Sequence, residues 1–156
     1  MTQREFEELR VRFAFCCGYC QTREADVGSL LTVDHFEPQS RGGADDSTNW
    51  VYCCFACNFF KGAFWGENDT ALLHPSRDDF RLHLREENGV LHGLTARGSH
   101  HIERLHLNRP PLIAQRREKL MIQELQDRLK RAIERYEAAE ARIRRAELER
   151  DQLDRS

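Results

Sequence analysis

The chain has 156 residues and a formal net charge of −2, with 40% of its residues hydrophobic and 32% charged. No apolar run approaches the roughly 20 residues that span a bilayer, which argues against a membrane protein. The polar N-terminal segment lacks the apolar region of a secretion signal, so we expect a cytoplasmic protein. The absence of an overall basic excess argues against extensive non-specific binding of duplex DNA. A local basic cleft is compatible with this net charge.

Composition divides the chain into three parts. Residues 1–70 hold all six cysteines, residues 71–111 mix short apolar runs with glycine and proline, and residues 112–156 contain neither glycine nor proline. An uninterrupted segment of the last kind, rich in glutamate, arginine, alanine and leucine, is typical of a long helix. We therefore predict a cysteine-bearing core domain over 1–70, an accessory α/β extension over 71–111 and a C-terminal helix over 112–156.

The first part contains two C-x-x-C pairs, made by Cys17, Cys20, Cys54 and Cys57. In a reducing compartment such pairs are typical of metal ligands rather than disulfides. Four thiolates at this spacing fit a closed tetrahedral zinc site that stabilises a small fold. Cys16 and Cys53 adjoin the pairs, and either is an alternative ligand through a C-x-x-x-C pairing. We favour small buried apolar residues as their role.

Between the cysteine pairs, two β-prone runs flank a loop of turn-forming residues. The first run leads into Asp34 and His35, and the second follows Asn49. The intervening segment 36–43 has the sequence FEPQSRGG, in which proline, serine and glycine favour turns. The pattern predicts two short strands joined by an irregular loop.

The middle part predicts a hairpin and a helix. Asn88-Gly89 is a strong turn signal between apolar residues, so a β-hairpin is expected over 82–94. A helix is expected to begin near Ser99. Its buried face is predicted to hold Ile102 and Leu105, with His106 as a further candidate.

In the last part, apolar residues recur at alternating steps of three and four. The positions are Ile122, Leu125, Leu129, Ala132, Tyr136, Ala139, Ile143, Ala146 and Leu153, with Arg150 in the remaining slot. A heptad seam sustained over about four repeats is typical of a coiled coil. We predict that this helix self-associates or binds a partner protein. The alternative is a helix folded back on its own domain, which the narrowness of the stripe leaves open.

The motifs around the cysteine pairs resemble those of the HNH endonuclease family. They are DHFEPQSRGG at residues 34–43, then Asn49, then CFACNFFKG at residues 54–62. The resemblance covers about residues 14–66, in the form that bears cysteines and has asparagine at the last motif position. It implies a ββα-metal fold, in which a β-hairpin and a helix hold one divalent cation. The expected architecture is therefore an α+β, zinc-stapled nuclease domain followed by a long coiled-coil helix.

The resemblance also implies roles for the motif residues. His35 would be the general base, and Asn49 would hold it in orientation across the loop. Asp34 and Asn58 would bind one Mg²⁺ or Mn²⁺ through oxygen atoms. Because consecutive strand residues face opposite sides of a sheet, we expect the strand to end or twist at Asp34 and His35.

The implied function is metal-dependent hydrolysis of phosphodiester bonds in DNA, with RNA not excluded as substrate. Lys61 and Arg41 are expected to contact substrate phosphates. The chain has no helix-turn-helix and no separate basic domain that we recognise, so we expect little sequence specificity. A homodimer or a partner protein bound through the C-terminal helix would then guide the enzyme, and the habits of the family suggest a role in bacterial defence.

The alternative is a non-catalytic zinc module that binds nucleic acid or protein. The joint occurrence of Asp34, His35 and Asn58 argues against it, since a scaffold needs none of the three. Divalent-cation dependence would distinguish the two functions.

Overall fold

A computed structural model describes residues 1–153, so residues 154–156 of the predicted part 112–156 lie outside the described residues. Within the described range the chain forms five α-helices and two separate two-stranded antiparallel sheets. This confirms the predicted α+β class. The chain divides into two units, Met1–Arg116 and a second unit that begins at Arg117.

Along the chain the elements follow the order helix, helix, strand, strand, helix, strand, strand, helix, helix. The helices are α1 (Gln3–Arg12), α2 (Glu24–Val27), α3 (Phe55–Lys61), α4 (Ala96–Arg104) and α5 (Pro110–Leu153). The strands are β1 (Thr32–His35), β2 (Trp50–Cys53), β3 (Leu84–Glu87) and β4 (Val90–Gly93). Single turns of 3₁₀-helix lie at 39–41, 68–70 and 80–82.

The β1–β2 hairpin and α3 form the centre of the first unit. The register sets Thr32 opposite Cys53 and His35 opposite Trp50. All four side chains of β2 are buried, as its aromatic and β-branched composition favours. Helix α3 begins directly after β2, so the order of elements is that of the ββα fold implied by the resemblance. At its start, the Sγ atom of Cys54 accepts a hydrogen bond from the Cys57 N–H.

Helix α1 packs against β2. A capping box between Thr2 and Glu5 closes its N-terminus. On the face of α1 that packs against β2, Leu9 is buried, and the ring of Phe6 meets the ring of Tyr52 edge-on with 5.8 Å between centroids. The helix thereby removes the β2 side chains from water.

The second hairpin, β3–β4, confirms the turn predicted at Asn88-Gly89. Both turn residues have positive φ, 52° and 78°, as a two-residue hairpin turn requires. The strands pair Leu84 with Gly93 and Glu87 with Val90.

Helix α4 begins at Ala96, ahead of the start predicted near Ser99, because the Thr95 side chain caps it by accepting a hydrogen bond from the Gly98 N–H. Ile102 and Leu105 are buried, as predicted. The prediction for His106 was wrong, since its side chain is exposed. The helix ends at Arg104 and His106 has a φ of 49°, so the helical period no longer sets its direction.

Helix α5 starts with two prolines, which are tolerated in a first helical turn. Leu112 and Arg116 are buried within the first unit. In the second unit the apolar seam is exposed, with 52% of Leu125 and 62% of Leu129 accessible. The side chain of Leu153 lies outside what the structure describes. Among the described helices, none has the length and apolarity needed to cross a membrane.

Candidate functional site

The four predicted cysteines form one buried cluster. The Sγ atoms of Cys17, Cys20, Cys54 and Cys57 all lie within 4.8 Å of one another. The first two come from the turn before α2 and the other two from the start of α3. A tetrahedral zinc with Zn–S bonds of about 2.3 Å separates its sulfurs by about 3.8 Å, and the Sγ atoms of Cys20 and Cys54 are 3.7 Å apart. The cluster is therefore compatible with zinc binding.

Local geometry prepares the cluster for a cation. In each pair, the N–H of the second cysteine points at the sulfur of the first across 3.5 Å. A Cβ at Gly18 would lie 2.6 Å from the ring of Phe13, so glycine lets this ring pack closely against the first pair. Burial raises the pKa of the Cys17 thiol well above its usual value, so a thiolate there needs a compensating positive charge.

Cys16 and Cys53, the two alternative ligands, are not part of this cluster. Cys53 is fully buried in β2, in keeping with the apolar role favoured for it. Cys16 is half-buried, and its Sγ lies 3.3 Å from the Ala14 carbonyl oxygen.

Arg109 lies beside the cluster and was not anticipated from the sequence. Its two terminal nitrogens are 3.8 and 4.0 Å from the Sγ of Cys57, and one is 3.9 Å from the Sγ of Cys54. Since a tetrathiolate zinc site carries a net negative charge, a guanidinium at these distances compensates part of it. Because Arg109 is far from both cysteine pairs along the chain, the sequence gave no indication of this contact.

Asp34 lies on the inner face of β1 and is 6% exposed. Its Oδ2 accepts a hydrogen bond from the Tyr19 hydroxyl at 2.6 Å, and its Oδ1 accepts one from Lys61 Nζ at 3.0 Å. Burial raises the pKa of Asp34, although Lys61 and Tyr19 both act to lower it. The carboxylate is thus fixed in position by one cation and one hydroxyl.

Lys61 is only 1% exposed, and its Nζ also donates to the His35 carbonyl oxygen at 2.7 Å. This differs from the expected contact with substrate phosphate. The buried carboxylate of Asp34 needs a counter-charge, and α3 brings Lys61 to it. The other predicted phosphate contact, Arg41, is exposed at the end of the 3₁₀ turn in the β1–β2 loop.

His35 ends β1, and its side chain makes contacts on a different side of the strand from Asp34. Its Nε2 lies 2.8 Å from Oδ1 of Asp45, and the same oxygen accepts a hydrogen bond from the Trp50 indole at 2.9 Å. These hydrogen bonds, from His35 first and Trp50 second, lower the pKa of Asp45. An ionised Asp45 assigns the proton of a neutral His35 to Nε2 and leaves Nδ1 as the acceptor nitrogen.

Asn49 closes the loop that carries Asp45. Its Oδ1 accepts from the Glu37 N–H at 2.8 Å, and its Nδ2 donates to the Glu37 and Ala44 carbonyl oxygens. It was expected to hold His35, but these contacts all lie within the loop. Gly43 is needed there, because a Cβ would lie 1.9 Å from the Glu37 carbonyl oxygen.

Asn58 is half-buried on α3, one turn before Lys61. Residues three apart share a helix face, so the face that reaches Asp34 through Lys61 also carries Asn58. Across the described residues, the four cysteines are the one group of three or more histidine, cysteine or acidic side chains close enough to share an ion. A hard cation at Asp34 would therefore rely on the oxygen atoms of Asp34 and Asn58 plus water and substrate. The donor types fit, since each Asp34 oxygen retains a second acceptor position.

Residues 17–64 match the HNH endonuclease family model. The matched segment contains both cysteine pairs, the β1–β2 hairpin and α3, and it confirms the resemblance drawn from the motif residues. No curated protein and no solved structure matches the chain.

Proposed function

We propose that this chain, which carries an HNH endonuclease domain over residues 17–64, is a metal-dependent endonuclease that hydrolyses phosphodiester bonds in DNA. The family match supports a nuclease and nucleic-acid binding in general. The observation that carries the more specific proposal is the contact between His35 and Asp45, which orients an imidazole at the end of β1.

In this proposal His35 is the general base. With its Nε2–H bound to Asp45, Nδ1 is free to take a proton from the water that attacks phosphorus. The imidazolium that forms remains 2.8 Å from the Asp45 carboxylate, which stabilises its charge. Trp50 and the loop closed by Asn49 keep Asp45 in place.

Asp34 and Asn58 would hold one Mg²⁺ or Mn²⁺, which when bound neutralises charge on the phosphoryl oxygens and the leaving oxygen. Lys61 favours the ionised form of Asp34 and holds it in position, and Arg41, which is exposed, is available for a substrate phosphate. Zinc at the four cysteines is structural, because four protein ligands leave no position open for substrate.

The test is cleavage of supercoiled plasmid by the zinc-loaded protein, with Mg²⁺ or Mn²⁺ and without added divalent cation. We expect nicked or linear product only with the added cation. Single-stranded DNA and RNA, assayed in parallel, define the substrate class. A protein that stays folded and binds nucleic acid but cleaves none of these substrates under any condition would contradict the proposal and favour the zinc adaptor.

We further propose that the second unit forms a coiled coil with a second copy of the chain. The observation in favour is the exposed heptad seam, which includes Leu125 and Leu129. The full chain should then be a dimer by light scattering, and the double substitution Leu125→Glu with Leu129→Glu should make it a monomer. Lys130→Glu, outside the seam, is the matched control. A monomeric wild-type chain would rule out self-association and leave a partner protein as the occupant of the seam.

A further inference from the structure

A cavity of about 260 Å³ opens beside Phe36, and we call it the Phe36 pocket. Its wall includes Phe36, which directly follows His35 in the chain, together with Phe64 and Trp65 from the segment after α3. Consecutive Cα atoms are about 3.8 Å apart, so the backbone of Phe36 continues directly from that of His35.

Aromatic rings form the apolar wall of the Phe36 pocket. The rings of Phe36 and Trp65 meet edge-on, with centroids 6.0 Å apart and an interplanar angle of 84°. Trp65 is 38% exposed, so its indole is available to a ligand. The guanidinium of Arg104 lies over the ring of Phe64, 4.8 Å from its centroid.

Polar groups at the Phe36 pocket are fixed by contacts of their own. Arg97 and Asp78 form an ion pair at 2.7 Å, and Arg97 also donates to the Leu72 carbonyl oxygen. Arg77 is exposed, and one of its nitrogens donates to the Thr48 carbonyl oxygen at 2.8 Å. Because Asp78 neutralises Arg97, Arg77 supplies the net positive charge at this site.

His74 completes the wall as a neutral side chain. Its ring lies 4.4 Å from that of Phe36, centroid to centroid, and its Nδ1 accepts a hydrogen bond from the Ser76 N–H. Burial lowers the pKa of His74 to about 4, so it carries no charge at neutral pH. The surface that a ligand meets is therefore largely aromatic, with a neutral histidine, one Arg97–Asp78 ion pair and the cation of Arg77.

We propose that the Phe36 pocket binds one unstacked nucleobase of the substrate. A planar ring matches aromatic walls that leave room for little more than one ring system, and stacking of a base on such side chains is a recurrent mode of single-strand recognition. Arg77 then faces the phosphate of the bound nucleotide. The inference rests on the proposed function, because it names a part of the same substrate.

The consequence is a preference for single-stranded or mispaired DNA. A base must leave the helical stack to enter the pocket, and the cost of extraction is smallest where the base is unpaired. The protein should therefore bind single-stranded DNA more tightly than a fully paired duplex of the same sequence.

The test uses the full zinc-loaded chain with His35→Ala, which allows binding to be measured without cleavage. Labelled single-stranded oligo(dA) and oligo(dT) are titrated by fluorescence anisotropy, beside an abasic oligodeoxynucleotide of equal length. Trp65→Ala should weaken binding of the oligonucleotides with bases about 5- to 100-fold, and should leave binding of the abasic one unchanged. Trp65→Phe, which keeps a stacking ring, should restore most of the affinity.

Phe59→Ala is the matched control, since Phe59 is 71% exposed on α3 and does not line the pocket. Equal affinity of Trp65→Ala and its parent for the oligonucleotides with bases would contradict base binding in the Phe36 pocket. An equal loss of affinity in Phe59→Ala would contradict it as well. Both outcomes leave the proposed nuclease intact. Failure of the parent protein to bind any oligonucleotide would instead contradict the proposed function together with the pocket.

Discussion

The Nε2 atom of His35 and the Oδ1 atom of Asp45 lie 2.8 Å apart across the loop that joins β1 to β2. The contact joins the motif histidine to a residue that the motif does not specify. It gives His35 a defined tautomer and a fixed ring plane, which a general base requires.

Asp45→Asn should lower kcat by about 10- to 100-fold with little change in KM, because the amide no longer offsets the charge of the imidazolium. Steady-state cleavage of a labelled oligonucleotide measures both constants. Asp46→Asn is the neighbouring control, since Asp46 bonds to Thr48 and not to His35. A rise in KM at constant kcat would show that Asp45 serves substrate binding instead.

Lys61→Met should destabilise the fold by about 3–5 kcal/mol, because it leaves the Asp34 carboxylate buried without its counter-charge. Denaturant unfolding of the zinc-loaded protein measures the change. Adding Asp34→Asn to Lys61→Met should recover part of the loss, since the buried charge is removed as well. Lys130→Met, at an exposed site, should have little effect. A loss equally small for Lys61→Met would be incompatible with a buried ion pair.

Arg109→Met should weaken zinc binding, because the guanidinium within 4.0 Å of two cysteine sulfurs offsets the negative charge of the site. We expect the zinc affinity to fall by about 10-fold or more in competition with a chromogenic chelator. Arg81→Met is the control, since Arg81 is exposed and pairs with Asp79. Equal zinc affinities in both variants would assign Arg109 to packing alone.

Stability should fall as the pH decreases below 6.5, because burial lowers the pKa of His101 to about 3. Between about pH 6.5 and pH 3, His101 binds a proton in the unfolded chain but stays neutral in the folded chain, which favours unfolding. His101→Asn, which keeps an acceptor for the Leu73 N–H, should reduce the slope of unfolding free energy against pH by up to about 1.4 kcal/mol per unit. His92→Asn, exposed on β4, should leave the slope unchanged. An unaltered slope in the His101 variant would disprove the assignment.

Features set by short stretches of sequence could be predicted. The C-x-x-C spacing indicated each pair of zinc ligands, and Asn88-Gly89 indicated the second hairpin, because both depend on geometry within a few residues. Helix α1 was not predicted, although the capping pair Thr2 and Glu5 was a usable signal.

Contacts set by tertiary packing could not be predicted in the same way. The burial of Lys61 depends on how α3 docks against β1, and the position of Asp45 depends on the course of a loop closed by Asn49. Arg109 reaches the cysteines from a distant part of the chain. In each case packing between distant segments, and not the local sequence, sets which residues are neighbours.

The most direct test of the central claim is the rate at which zinc-loaded wild type, His35→Ala and His92→Ala convert supercoiled plasmid in Mg²⁺ or Mn²⁺. We predict that His35→Ala loses about 100-fold or more of the wild-type rate, in line with removal of a general base, while remaining folded with its zinc. His92→Ala should retain the wild-type rate. Cleavage by His35→Ala at the wild-type rate would contradict the proposal that His35 is the general base of a nuclease.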